Sequence, residues 1–161
     1  MGRSASNDRV RGDSDEPVRE RKRTMIALVL ASLSLFAQAF DGSWTCTGGY
    51  PWHIAPAPGS GWTVVQWGPR TAAGGTAYVG YVPKQNQWIY EDFHGDGSYA
   101  TNTSPGPVDG AWTWTGTYFT GSDTDHGTVI WQRTSAKRID RTFKFSVNGK
   151  PRQAHDSCRP K

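Results

Sequence analysis

In the stretch Asp109 to Gly121, DGAWTWTGTYFTG, Trp112, Trp114, Gly116 and Tyr118 fall on one side of a period-two repeat, and Thr113, Thr115, Thr117 and Phe119 fall on the other. Only an extended strand places every second side chain on the same face, so a helix is excluded here. Aromatic and β-branched residues suit a pleated surface, and a glycine inside such a strand permits a bend or the close approach of another group to the backbone. The turn dipeptide Asp109-Gly110 opens the stretch. It reads as a central strand of a small antiparallel barrel.

The same alternation organises the rest of the chain after residue 40. Gly42 to Gly48 sets Trp44 and Cys46 against small polar residues and reads as a first strand. Gly49 to Gly61 holds Pro51, Pro56 and Pro58 and reads as a long loop, because proline cannot donate to a ladder. Further strands are expected at Trp62–Trp67, Thr76–Val82, Trp88–His94, Ser98–Thr103, Thr128–Thr134 and Ile139–Val147, with a turn over Gly68–Gly75 and Asn148-Gly149 ending the last strand. Gly95-Asp96-Gly97 marks a tight hairpin. Ser104-Pro105-Gly106-Pro107 is a break, and Gly121–Gly127 is expected to be a polar loop. About eight strands joined by short turns, with no helical period after the N-terminal segment, argue for an all-β, up-and-down antiparallel barrel over a Greek-key sandwich.

The first 39 residues are expected to lie outside this domain, leaving 40–161 as one barrel. Arg19, Arg21, Lys22 and Arg23 precede an apolar run from Ile26 to Phe36, and Ala37-Gln38-Ala39 supplies the small residues of a signal-peptidase site, with cleavage before Phe40. The run is about half the ~20 residues of a membrane span. Export to the periplasm or medium is therefore expected, without a stable membrane anchor once the signal is cleaved. Residues 1–24 are either an extended leader or the product of a start assigned upstream of Met25. Seven basic and five acidic residues precede Phe40; removing them from totals of 18 and 14 leaves 11 and 9, a net charge of +2. That balance, with no dense basic stripe, excludes nucleic acid as the expected partner. The protein is expected to be a monomer.

Two cysteines remain, Cys46 near the start of the domain and Cys158 near its end. In an exported chain such a pair is expected to form a disulfide. An up-and-down barrel brings first and last strands together, and the tail after strand eight must fold back, with Pro151 starting the reversal, to deliver Cys158 to Cys46.

Gly-Ser-Trp-Thr-Cys-Thr-Gly at the start, Tyr81-Val-Pro-Lys-Gln-Asn-Gln-Trp-Ile-Tyr90 in the middle, Asp-Gly-Ala-Trp-Thr-Trp-Thr-Gly-Thr-Tyr at 109–118 and Arg141-Thr-Phe-Lys-Phe near the end together resemble the exported bacterial β-barrels of calycin-like, lipocalin-like type. The resemblance covers about Asp41 to Lys150. It implies a barrel with an internal cavity or a filled core, and it implies no particular activity. A haem-binding branch of related barrels uses a histidine near the last strands, and His155 is the residue in the comparable place.

All eight tryptophans follow residue 40, and no Ser/His/Asp order, phosphate loop or paired-carboxylate motif accompanies them. The leading expectation is a small apolar or aromatic ligand bound by Trp88, Tyr90, Asp92, His94, Trp112, Trp114, Tyr118 and Trp131, with no cofactor or metal and no assigned catalytic residue. Asp92 and His94 share one face of a strand, so the alternative is an isomerase- or cyclase-type enzyme that uses them as acid and base if that face points inward. Asp123-x-Asp125-His126 offers too few ligands for calcium or zinc and reads as a solvated turn. His53 has no partner that demands a ligand role.

Overall fold

The computed structural model describes residues 36–69, 74–121, 123–147 and 149–161. Arg19, Arg21, Lys22, Arg23, Met25, the apolar run up to residue 35, part of the turn within Gly68–Gly75, and Asn148 lie outside the described residues.

Among the described residues, eleven strands form one antiparallel sheet: β1 Gly42–Cys46, β2 Pro51–Pro56, β3 Thr63–Trp67, β4 Gly75–Val82, β5 Gln87–His94, β6 Tyr99–Ser104, β7 Pro107–Val108, β8 Ala111–Thr120, β9 Asp123–Ser135, β10 Arg138–Val147 and β11 Lys150–Pro160. Each pairs with its neighbours in sequence, except that β8 pairs with β6 past the short β7, and β11 returns to β1. The sheet is thereby closed into an up-and-down barrel of ten strands, with β7 outside it as a two-residue partner of the start of β8. Closure leaves the ten barrel strands without a free edge.

Two strands exceed the expected eight, and proline explains one of them. The Gly49–Gly61 loop contains β2, whose prolines stand at its first and last positions, where a missing N–H is tolerated. Between them Trp52 and Ile54 are buried and His53 is exposed, the same alternation as elsewhere. The second addition is β11. Its eleven residues, KPRQAHDSCRP, carry almost no apolar pattern, and tertiary pairing with β10 over nine positions makes them a strand. The expected loop at Gly121–Gly127 is also overturned from Asp123 on: Asp123, Asp125 and His126 are ladder residues of β9, opposite Thr120, Tyr118 and Thr117 of β8. The period-two reading of β8 itself holds, with Trp112 and Trp114 buried and Thr113 and Thr115 exposed.

One end of the barrel is filled. A helical turn, residues 36–40, enters it, and Phe36 and Phe40 are fully buried against Trp112, Trp114 and Trp131. Phe36 meets Trp112 edge to face, 4.9 Å between centroids at 87°, and Trp88 stands edge-on to Trp112 at 4.8 Å. The turn is tied down by Trp44 Nε1–H donating to the Phe40 carbonyl at 3.0 Å and by Arg133 Nη1–H donating to the Ala39 carbonyl at 2.8 Å.

The expected disulfide joins Cys46 to Cys158, directly opposite one another on β1 and β11 with Cα atoms 3.8 Å apart. The tail does fold back, and it does so as β11; Pro151 does not start the reversal as expected but lies within the strand, opposite Ser146 of β10.

Gly116 sits in the β6–β8 seam. A Cβ there would overlap the carbonyl oxygen of Thr101 and lie 2.7 Å from the Asn102 Cα, both backbone atoms that cannot move without parting the strands. Gly116→Ala is expected to lower stability by about 1–3 kcal/mol, whereas Thr115→Ala, on the exposed face, should stay within about 0.5 kcal/mol of wild type. Urea midpoints of the two variants check this, and equal midpoints would refute it.

Candidate functional site

The half of the barrel away from the Phe36 turn is not filled. Inward positions there carry small residues, among them Ala100, Gly116 and Gly127, so facing walls do not meet and a cavity of about 470 Å³ remains. It reaches the surface beside the exposed residues Tyr50, Lys144 and Phe145. That volume lies within the range of small-molecule sites.

Strand β5 turns the face carrying Trp88, Tyr90, Asp92 and His94 inward and leaves Phe93 outside at 50% exposure. Tyr90, Asp92, His94, Trp114, Tyr118 and Trp131 line the cavity. Trp88 and Trp112 do not; they pack around Phe36 and form the floor beneath it. The β5–β6 hairpin fixes the end of β5, where His94 N–H donates to the Ser98 carbonyl at 3.0 Å and Asp96 Oδ1 accepts from both the N–H and the hydroxyl of Ser98.

His94 Nε2 lies 3.4 Å from Asp92 Oδ2, an ion-pair distance without hydrogen-bond alignment, and the imidazole is held edge-on between Trp67 and Tyr118. The Asp92 contact raises the His94 pKa despite partial burial. Burial holds Asp92 above the usual carboxylate range although His94 and Arg141 both pull it down. Desolvation likewise pushes the Tyr90 hydroxyl well up.

Arg141, Asp156, Trp52 and Asn102 complete the polar and aromatic wall, and sequence reasoning did not single them out. Arg141 is 6% exposed, with its guanidinium 3.8 Å above the Trp52 ring and 5.4 Å from that of Trp131. Its Nη2 donates to Asp156 Oδ2, directly across the β10–β11 ladder, and Asp156 Oδ1 accepts the Thr47 N–H at 3.0 Å. Burial lowers the Arg141 pKa to about 10, opposed by Tyr90 and Asp92. The usable signal was its place in the alternation Arg141, Phe143, Phe145: an arginine on an apolar face marks an inward, paired charge.

His155 lies on the exposed face of β11, its Nδ1 3.1 Å from Thr142 Oγ1 and its Nε2 2.8 Å from Gln153 Nε2. It does not line the cavity. His53 is exposed and contacts Ser43 Oγ at 3.1 Å. Among the described residues, the one His/Cys/Asp/Glu group close enough to share an ion is Cys46, Asp156 and Cys158, and its two sulfurs are bonded to each other. Asp123, Asp125 and His126 form no such group.

Because the folded-state pKa of His94 is raised, its contact with Asp92 stabilises the fold fully below the unfolded value near 6.5, and that stabilisation is lost as pH rises through the folded value. The stability difference between wild type and His94→Gln is therefore expected to be larger at pH 6 than at pH 9. Urea unfolding across that range measures it, and a difference that is flat or grows with pH would contradict the assignment.

Comparison with protein-family models and with curated proteins finds no match to this chain.

Proposed function

We propose that this chain is an exported, calycin-like barrel that binds a small, partly apolar ligand in its interior. The observation that carries the reading is the 470 Å³ cavity walled by Trp52, Trp67, Tyr90, Trp114, Tyr118 and Trp131, into which Asp92, His94, Asn102 and Arg141 bring polar groups. Aromatic walls contribute large apolar contact area at little cost in side-chain entropy, and a few fixed polar groups orient what is bound. The Cys46–Cys158 disulfide supports the exported part, since such bonds persist in oxidising compartments. Titrating the oxidised protein with small aromatic probes while following tryptophan emission tests the binding part. Saturable quenching is expected, and its absence across the panel would overturn the reading.

A second reading rests on Asp92 and His94, which meet inside the cavity at 3.4 Å. A carboxylate and an imidazole held in a desolvated pocket can take and return a proton on a bound substrate, as an isomerase or cyclase requires. Turnover by this pair would be abolished by Asp92→Asn and by His94→Gln alike, with ligand binding retained.

A further inference from the structure

Among the described residues, four buried side-chain polar atoms have no hydrogen-bond partner: Asp92 Oδ1, His94 Nε2, Trp114 Nε1 and Arg141 Nε. All four belong to residues that line this cavity, and Trp114 and Arg141 are 1% and 6% exposed. Buried polar groups are almost always satisfied, so four orphans around a single void describe the polar part of what fills it. Trp114 Nε1 and Arg141 Nε are donors only; Asp92 Oδ1 accepts when ionised; His94 Nε2 does either, according to its tautomer.

Charge narrows the choice further. The guanidinium of Arg141 is already compensated by Asp156, and Asp92 is compensated by His94. Over the whole lining, Asp92, Asp125 and Asp156 stand against Arg141 and Lys144, with His94 and His126 as the remaining titratable groups. An anionic head would meet three carboxylates and an arginine whose charge is spent. A cationic ammonium head offers donors only, and so leaves the donor-only Trp114 Nε1 and Arg141 Nε without an acceptor. A hydrocarbon would leave Asp92 Oδ1, Trp114 Nε1 and Arg141 Nε unpaired.

We infer that the ligand is a flat aromatic molecule carrying a neutral group with an acceptor and a donor side by side, as in a carboxamide or lactam. Its carbonyl oxygen accepts from Trp114 Nε1–H and Arg141 Nε–H, and its N–H donates to Asp92 Oδ1. This assignment rests on the cavity-binding reading above.

The test uses the oxidised wild-type protein and four probes with the same ring system, 2-naphthamide, 2-naphthoate, 2-naphthylmethylammonium and 2-methylnaphthalene, titrated calorimetrically at pH 7. The amide is expected to bind at least tenfold tighter than each of the others. Trp114→Phe and Asp92→Leu, which delete a donor and the acceptor, should each bring amide and hydrocarbon to within about threefold while hydrocarbon binding is kept. A hydrocarbon that matches the amide on wild type would overturn the inference and leave the cavity-binding reading intact, as would a naphthoate or ammonium that binds tightest. Failure of all four probes to bind would overturn both.

Discussion

Replacing Cys46 and Cys158 together by alanine is expected to lower stability by about 4–5 kcal/mol, the chain-entropy value for a loop of this length. The bond spans a sequence separation of 112, nearly the whole barrel, and so restricts the unfolded chain more than any shorter cross-link here could. Its position adds to the effect. The seam between β1 and β11 closes the barrel with three paired positions, against ten between β8 and β9 and nine between β10 and β11. Beyond those three pairs the seam is held by Thr47, which donates its N–H to Asp156 and accepts from the Ser157 N–H, and by Lys161 N–H on the Ser43 carbonyl. Without the covalent tie the last strand of a closed sheet becomes an edge that can fray. A fall in melting temperature of roughly 15–25 °C is expected. Reduced wild type should melt with the double variant, which separates loss of the bond from loss of two buried sulfurs, and coincident melting of oxidised and reduced protein would refute the prediction.

The barrel was legible in the sequence where one face of a strand is buried and the other is wet. Trp112, Trp114 and Tyr118 in β8 announce their inward face by alternation alone, Trp88, Tyr90, Asp92 and His94 in β5 are grouped on one face by the same period, and the hairpin between β5 and β6 is written in Gly95-Asp96-Gly97. β2 was hidden by its terminal prolines, although Trp52 and Ile54 keep the period. β11 was hidden because its side chains are mostly exposed, so its strand character comes from pairing with β10 and not from its own composition. The site was half legible for a related reason. Which face of β5 points inward depends on closure of the whole sheet, and the same eight-residue pattern is compatible with either orientation. Closure also divides the aromatic residues between two tasks, with Trp88 and Trp112 in the floor and Tyr90, Trp114 and Trp131 in the wall of the cavity, a division along the barrel axis that period-two reasoning does not contain. Arg141 escaped because a charged residue within Arg-Thr-Phe-Lys-Phe resembles the solvated edge of a strand until its partner, Asp156, is brought opposite it by β11.

Phe36→Ala, in an unprocessed chain of residues 25–161, is expected to cost about 3–5 kcal/mol, the range for deleting a fully buried phenylalanine ring. The upper half of that range applies here because the cavity left behind has stiff walls: Trp112 and Trp114 meet the ring edge to face at 4.9 and 5.8 Å, and Phe40, Trp131 and Trp88 surround it at 5.0, 6.0 and 6.3 Å. Indoles already stacked on one another, as Trp112 and Trp114 are at 5.6 Å, have few rotamers with which to collapse into a void. Under the proposal that the chain is exported and its leader cleaved, the position of Phe36 has a structural consequence. Cleavage between Ala39 and Phe40 would remove Phe36 from the barrel base while Phe40, held by Trp44 through its carbonyl, remains. A chain beginning at Phe40 loses the ring and also the Ala39 carbonyl that accepts from Arg133, so it should be less stable than Phe36→Ala by about 1 kcal/mol, and under the proposed cleavage the Phe36→Ala change should leave the processed protein unaltered. Denaturant unfolding of the unprocessed, truncated and substituted chains, alongside N-terminal sequencing of the exported protein, checks each part. A loss below about 1 kcal/mol on Phe36→Ala would show that the ring does not hold the base of the barrel.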